Sequence, residues 1–200
     1  MNQYQFLLDL DSTVTRTEIL PEIARSIGLF DKIGEITERT MNGDLPFEES
    51  FRLRVELLRE IPVEEAGRIA AEIPLNEPLC EFIRENKERC YIVTGNLDVW
   101  IEGLLRKIGM QDRCFCSRAL VRDGKIERIA SLLDKADAVR RIDLPVVAVG
   151  DGSNDAGMIG LADVGIAFGA ERRIAGSVLE KADLAAYGEE ELCMLLKNYL

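Results

Sequence analysis

Two aspartates stand two residues apart in Asp9-Leu10-Asp11-Ser12-Thr13, directly after the apolar run Tyr4-Gln5-Phe6-Leu7-Leu8. In open α/β sheets the ligand crevice lies beyond the carboxyl ends of the strands. A pair placed there can turn one carboxylate towards a substrate and keep the other alongside. Taken alone, the stretch reads equally as a turn rich in helix-capping residues. The arrangement returns in Gly150-Asp151-Gly152-Ser153-Asn154-Asp155, after Pro145-Val146-Val147-Ala148-Val149. Gly150 and Gly152 permit a tight turn there, and Ser153 is placed to cap a helix carrying Met158 and Ile159. Asp151 and Asp155 either decorate this strand–turn–helix junction or complete an acidic cluster. Carboxylates gathered on one sheet edge repel each other unless a cation lies among them. A hard, oxygen-ligated ion resolves the conflict. Mg2+ suits it, because that ion takes one or two carboxylates, waters and a substrate phosphate.

Lys135 is the third element. It stands where Asp134-Lys135-Ala136 opens a helix, and a cation at a helix N-terminus opposes the macrodipole. It is either a solvated lysine beside Asp134 and Asp137 or the charge that offsets the carboxylates and holds phosphate oxygens. Thr94-Gly95-Asn96 ends another apolar run, Cys90-Tyr91-Ile92-Val93. Its hydroxyl and glycine-freed N–H groups are suited to cradling a phosphate.

What is missing narrows the chemistry further. Histidine is absent, which removes Ser-His and Cys-His triads and imidazole acid–base catalysis. Five cysteines, without a CxxC pair, read as reduced and mostly buried thiols of a cytoplasmic protein. Twenty-five basic against 36 acidic residues give a net charge of −11, which argues against nucleic acid or an anionic membrane as partner. No apolar run approaches the roughly 20 residues of a membrane span, and Met1-Asn2-Gln3-Tyr4-Gln5 does not open a secretory signal.

The elements that must position these residues follow from the periodicity. Four short apolar runs bounded by Gly or acid, the last being Asp163-Val164-Gly165-Ile166-Ala167-Phe168, alternate with helical patterns. This predicts an α/β fold with a parallel sheet buried on both faces. Ile101, Leu104, Leu105 and Ile108 make the stripe of one crossover helix. Residues 15–75 carry no strand pattern and are too many for one crossover. Helices are expected over 20–27 (with Ile19, Leu20, Ile23 and Ile27 as a stripe), over 30–41, and from Pro46 and Pro62 as first helical residues. Asp123-Gly124 predicts a hairpin. On the helix from Pro46, Phe47, Phe51, Arg54, Val55 and Leu58 share one sector. Arg54 is thus a cation on an apolar face, which either snorkels, pairs with a glutamate or grips a carboxylate. Glu18, before Pro21, reads by itself as an acid near a helix start.

In this order, D-x-D-x-T, a strand-end Thr-Gly, Lys and G-D-x-x-N-D resemble the haloacid-dehalogenase-like superfamily of phosphotransferases over essentially the whole chain. Asp11-Ser12-Thr13, Glu18, Met41-Asn42-Gly43, Pro46-Phe47-Glu48 and Ser50-Phe51-Arg52-Leu53-Arg54-Val55 resemble its phosphoserine phosphatase branch. The resemblance implies a doubly wound, Rossmann-like core at 1–14 and 76–200 with a small helical cap at 15–75. It implies a Mg2+-dependent phosphomonoesterase, a monomer or homodimer, whose small-molecule substrate is O-phosphoserine. Asp9 would be the nucleophile, Asp11 the acid and base, and Lys135 the stabiliser of the phosphoryl group. Asp9, Asp11 (through its backbone carbonyl), Asp151 and Asp155 would hold the ion. Glu18 would take the substrate ammonium, Arg54 its carboxylate, and Met41 and Phe47 would wall the pocket. Thr94, Gly95 and Asn154 would complete the substrate contacts. Other small phosphomonoesters, transfer to an alcohol, a phospho-acceptor switch and a binding protein that has kept the fold are the alternatives. Three departures stand out: Asn96 in place of a second Gly, Thr94 in place of Ser, and a short segment before Lys135.

Overall fold

The protein is described by a computed structural model over residues 3–200; Met1 and Asn2, which begin the stretch read for a signal, lie outside the described residues. Among those residues seven strands form one sheet: β1 (Gln5–Asp9), β2 (Cys90–Leu97), β3 (Cys114–Arg122), β4 (Lys125–Ser131), β5 (Val146–Gly150), β6 (Val164–Phe168) and β7 (Leu184–Ala186). Their order is β4-β3-β2-β1-β5-β6-β7. Neighbours are parallel except β3 and β4, which form the hairpin expected at Asp123-Gly124. Both turn residues have positive φ, 50° and 74°, as the tight hairpin turn demands. The chain steps outward from β1 to β4, returns to β5 and steps outward again. The strand order therefore reverses between β1 and β5, and a crevice opens at their carboxyl ends.

Alternation along the central strands sorts the core onto two faces. Phe6, Leu8, Val147 and Val149 face one way, with α5 (Glu77–Glu85), α6 (Asp98–Lys107) and α10 (Glu189–Lys197) upon them. Leu7, Val146 and Ala148 face the other way, covered by α7 (Lys135–Arg140), α8 (Ala156–Leu161) and α9 (Gly176–Leu179). The sheet is thus buried on both faces, as the near-continuous apolar strands require.

Four helices lie between β1 and α5: α1 (Ile19–Arg25), α2 (Phe30–Met41), α3 (Phe47–Leu58) and α4 (Val63–Glu72). Their apolar stripes, including Ile23, Phe51, Leu58 and Ala70, join the same buried cluster as Phe6 and Leu8, and α4 packs on α6. Thr15 and Leu75 pair as an antiparallel bridge, so the two ends of this helical stretch leave and rejoin the sheet side by side. Asn76 fastens that neck. Its backbone N–H donates to Val14 O (2.9 Å), its Nδ2 donates to Thr13 O (3.2 Å), and its Oδ1 accepts from Leu79 N (3.1 Å) at the start of α5.

Some local expectations are corrected. α1 stops at Arg25 rather than running to Ile27, which is 46% exposed. Gly28, at φ 70°, lets Leu29 N–H fold back onto Ala24 O at 3.0 Å, and this ends the helix. Pro46 and Pro62 precede the first turns of α3 and α4 with extended ψ instead of beginning them. Ser153 makes no capping bond; its Oγ accepts from Ser177 Oγ at 3.2 Å. Strand β7, helices α5, α9 and α10, and the first half of β3 stand outside the sequence expectations; in β3, Cys114-Phe115-Cys116-Ser117 mixes apolar and polar residues. All five cysteines are free: Cys80, Cys90 and Cys193 buried, Cys114 and Cys116 half-buried.

Asn76→Ala removes a helix cap and leaves two buried groups unpaired. It should lower the unfolding free energy by about 2–3 kcal/mol in urea denaturation. Leu53→Ala, at a side chain 47% exposed, should stay within about 0.5 kcal/mol.

Candidate active site

The reversal of strand order brings the separated motifs together. Asp9 ends β1, and the turn after β5 carries Asp151 and Asp155; all three are buried. Each offers a carboxylate oxygen within 4.8 Å of the others. Gly150 makes the turn possible by close approach, since a Cβ there would stand 2.5 Å from Asp155 Cγ. Asp155 in return accepts the N–H groups of Asp151 (3.1 Å) and Gly152 (2.9 Å) through Oδ2, which fixes the loop.

Lys135, from the start of α7, enters this cluster. Its ammonium lies 2.5 Å from both Asp9 Oδ1 and Asp155 Oδ1. Burial works against that charge, but Asp155 and Asp9 outweigh it and hold the pKa above that of free lysine. Asp134 caps the helix by accepting from Ala136 N at 3.0 Å. Burial raises the Asp9 carboxyl well above the usual range, Asp155 adds to this, and Lys135 opposes it. Asp151 is raised too, by burial first and then by Asp9 and Asp155.

Asp11 stands apart from the three-carboxylate cluster. The chain turns sharply after it, with Ser12 at φ 57°, a conformation that costs a non-glycine residue about 1 kcal/mol or more. Thr15 secures the turn by donating its N–H (2.9 Å) and Oγ1 (3.0 Å) to Leu10 O. Asp11 Oδ1 accepts from Ile19 N at 2.8 Å, at the start of α1, whose own N-cap, Glu18, supplies no side-chain bond. Oδ2 accepts from Asn96 Nδ2 at 2.5 Å and from Thr94 Oγ1 at 3.5 Å. Burial raises Asp11 to about 7, with Glu18 adding and the Ile19 N–H opposing.

The helices of the insert close over this edge. Arg54 is buried on α3, where its Nη1 donates to Thr37 Oγ1 (2.9 Å) and its Nε to Ser50 O (3.4 Å). Its Nη2 is buried without a partner. Burial lowers its pKa, and Glu18 and Asp11 pull it back up. Phe47 and Phe51 stack at 5.3 Å, and Gly95 leaves the space the Phe47 ring fills, since a Cβ there would collide with that ring. Asn154 Oδ1 is also buried and unpartnered. A pocket lined by these groups, by Met41 and by Asp9, Asp11, Glu18 and Lys135 encloses about 20 Å3, room for roughly one water. A wider cavity of about 680 Å3 lies beyond Glu18, between α1, α2 and the segment after β6.

Among the expected site residues, Asp9, Asp11, Glu18, Met41, Phe47, Arg54, Gly95, Lys135 and Asn154 thus line one pocket. Asp151 and Asp155 stand behind it. Thr94 does not face the pocket; its hydroxyl is turned to Asp11 and accepts from Asn96 N at 3.2 Å. Two residues escaped sequence reasoning. Asn96, in sequence only a departure from the family pattern, grips Asp11. Arg172, in sequence one charge among several, follows β6 on the same sheet edge as the motifs. Its Nη1 donates to Glu18 Oε1 at 2.9 Å and its Nε lies 3.0 Å from Asp151 Oδ2.

The profile of the haloacid dehalogenase-like hydrolases matches residues 6–159. The phosphoserine phosphatase of Methanocaldococcus jannaschii is 35% identical over 196 residues, covering 89% of this chain and 92% of that protein. That of Archaeoglobus fulgidus is 36% identical over 180 residues, 82% of this chain and 52% of that one. A substrate-bound phosphoserine phosphatase superposes with a TM-score of 0.86 at 32% identity, with full coverage of both chains. A phospho-aspartyl intermediate analogue of phosphoserine phosphatase gives 0.85, also at 32% identity and full coverage. The order of the motifs, their convergence at one sheet edge and these likenesses agree: the chain belongs to the haloacid dehalogenase-like hydrolase family, in its phosphoserine phosphatase branch.

Proposed function

We propose that the protein hydrolyses O-phosphoserine to serine and phosphate, with Asp9 as nucleophile and Mg2+ as the ion. The observation that carries this reading is the convergence of Asp9, Asp11 and Lys135 on a pocket whose remaining buried, unpartnered atoms are an arginine nitrogen and an asparagine oxygen. Such a pocket recognises a phosphate at one end and an amino acid at the other.

Asp9 Oδ attacks phosphorus in line with the serine Oγ, forming an aspartyl-phosphate as the P–O bond to serine breaks. Asp11 gives its proton to the departing alkoxide. It then takes a proton from the water that attacks phosphorus, which frees phosphate and regenerates Asp9. A carboxyl held near 7 by burial serves both halves at neutral pH. Lys135 offsets the charge spread over the phosphoryl oxygens. Arg54 Nη2 takes the substrate carboxylate, Glu18 takes the ammonium, and Met41 and Phe47 close the apolar sides. Residues 15–75 act as a cap. Because the pocket encloses about 20 Å3, admission of substrate requires the cap to move, and its closure shuts out bulk water.

The acidic cluster fits a hard divalent ion. Its donors are all carboxylate oxygens, and Asp151 Oδ2 is buried without an aligned hydrogen bond. Asp9, Asp151 and Asp155 would hold the ion, which when bound relieves their mutual repulsion and polarises a phosphoryl oxygen.

Phosphate release from L-phosphoserine tests the reading. Asp9→Asn should lower kcat by about a thousandfold or more while the circular dichroism stays native. Arg54→Ala should lower kcat/KM for phosphoserine by about thirtyfold or more, and far less for phosphoethanolamine, which has no carboxylate. Unchanged discrimination between the two substrates would remove Arg54 from recognition.

The raised carboxyls also set a pH dependence. In the ion-free protein Asp9, Asp11 and Asp151 bind protons more tightly folded than unfolded. Stability must therefore fall as pH rises above the unfolded value near 4, and for Asp11 the loss begins there and continues through about 7. Thermal melts from pH 5 to 8 should show Tm falling with pH in EDTA and the slope flattening in Mg2+.

A further inference from the structure

The segment between β6 and α9 brings to the acidic cluster a cation that the chemistry above does not use. Ala175 N–H donates to Asp151 O at 2.8 Å, which ties this segment to the turn after β5. From it Arg172 reaches inward. Its Nη1 donates to Glu18 Oε1 at 2.9 Å, and its Nε stands 3.0 Å from Asp151 Oδ2. The two contacts differ in kind. The bond to Glu18 is aligned, whereas Asp151 Oδ2 accepts no aligned hydrogen bond from any group. Arg172 is therefore held at Asp151 by charge and at Glu18 by charge and geometry together.

One guanidinium is thus shared between a carboxylate of the ion cluster and one at the mouth of the pocket. Glu18 lines both the small enclosed pocket and the wide cavity outside it, and Arg172 lines the latter. Lys135 already pairs with Asp9 and Asp155, so Arg172 is the cation that falls to Asp151. A divalent ion on Asp151 and a guanidinium 3.0 Å from the same carboxylate repel each other.

We propose that Arg172 is the built-in counter-cation of the cluster. It competes with the divalent ion for Asp151 and is left to Glu18 Oε1 alone when the ion binds, Oε2 staying for the substrate ammonium, so that ion loading and the link across the pocket mouth are coupled. This rests on the divalent-ion reading of the cluster and not on the identity of the substrate. Arg172 touches no reacting atom here; it acts through Asp151 and Glu18 as a positioning residue.

Mg2+ titration of the EDTA-stripped, substrate-free protein by calorimetry tests it. Arg172→Ala and the more space-filling Arg172→Gln should tighten Mg2+ binding about fivefold or more, with Arg172→Lys falling between them and wild type. Glu18→Gln should weaken Mg2+ binding, because Arg172 then stays on Asp151. That weakening should vanish when Arg172 is already Ala. A Glu18→Gln effect of equal size in both backgrounds would mean that the two charges act on the ion independently through space, and would overturn the proposal. So would Arg172→Ala or Arg172→Gln binding Mg2+ no more tightly than wild type. Either soluble variant decides the matter if the other fails to fold. No phosphate release is measured, so failure of the phosphoserine reading would show elsewhere and leave this result standing.

Discussion

The buried ammonium of Lys135, shared between Asp9 and Asp155, is the interaction on which the rest of the site depends. It spans the switch point of the sheet, joining the end of β1 to the turn after β5. Burying an ion is costly unless close, well-placed partners compensate. This ion has two carboxylates, each held in place by its surroundings: Asp155 by the N–H groups of Asp151 and Gly152, and Asp9 by β1, with the turn after it secured by Thr15. One ammonium cannot neutralise three clustered carboxylates. The excess negative charge at Asp151 is what calls for a further cation, whether a metal ion or Arg172.

Asp11 binds the chemistry to the insert. Its carboxylate accepts the first free N–H of α1, so the residue assigned to proton transfer also terminates a helix that covers the pocket. The left-handed Ser12 beside it is the local strain that turns the chain from the strand towards that helix. Asn96 and Thr94 hold the other carboxylate oxygen. The orientation of Asp11 is thus set from two sides, by the start of the next helix on one oxygen and by the end of β2 on the other.

Much of this was legible in the chain. Asp9, Asp151 and Asp155 could be read because apolar strands ending in acid have few uses in a protein without histidine. Arg54 could be read because a charge in the middle of a helix's apolar sector must find a partner. The parallel sheet followed from β-branched runs without alternation. What escaped reading depends on contacts between distant segments. Asn96 lies on a strand next to β1, but only the fold shows its amide reaching Asp11 across 85 positions of sequence. Arg172 sits among exposed charges in a loop, where composition gives it no distinction. Ile27 looked like part of a stripe because its spacing fits, yet Gly28 at positive φ ends the helix first. Mixed strands such as the beginning of β3 gain their character from the neighbour they pair with.

The unbroken apolar cluster that runs from the sheet through α6 into α4 limits how the molecule can breathe. A lid hinged at the neck and swinging as one piece would drag Ala66 and Ala70 into water. Sliding α1 and α2 across a stationary α4 would keep Ala66 and Ala70 in place, but it would disturb Ile19, Leu20, Ile23 and Ile33, which belong to the same buried cluster. It would also break polar ties at the rim: Asp11 to Ile19, Ser12 to Glu18, and Glu18 to Arg172. The resistance to admitting a small molecule is then shared between apolar packing and rim charges, and salt screens only the second share.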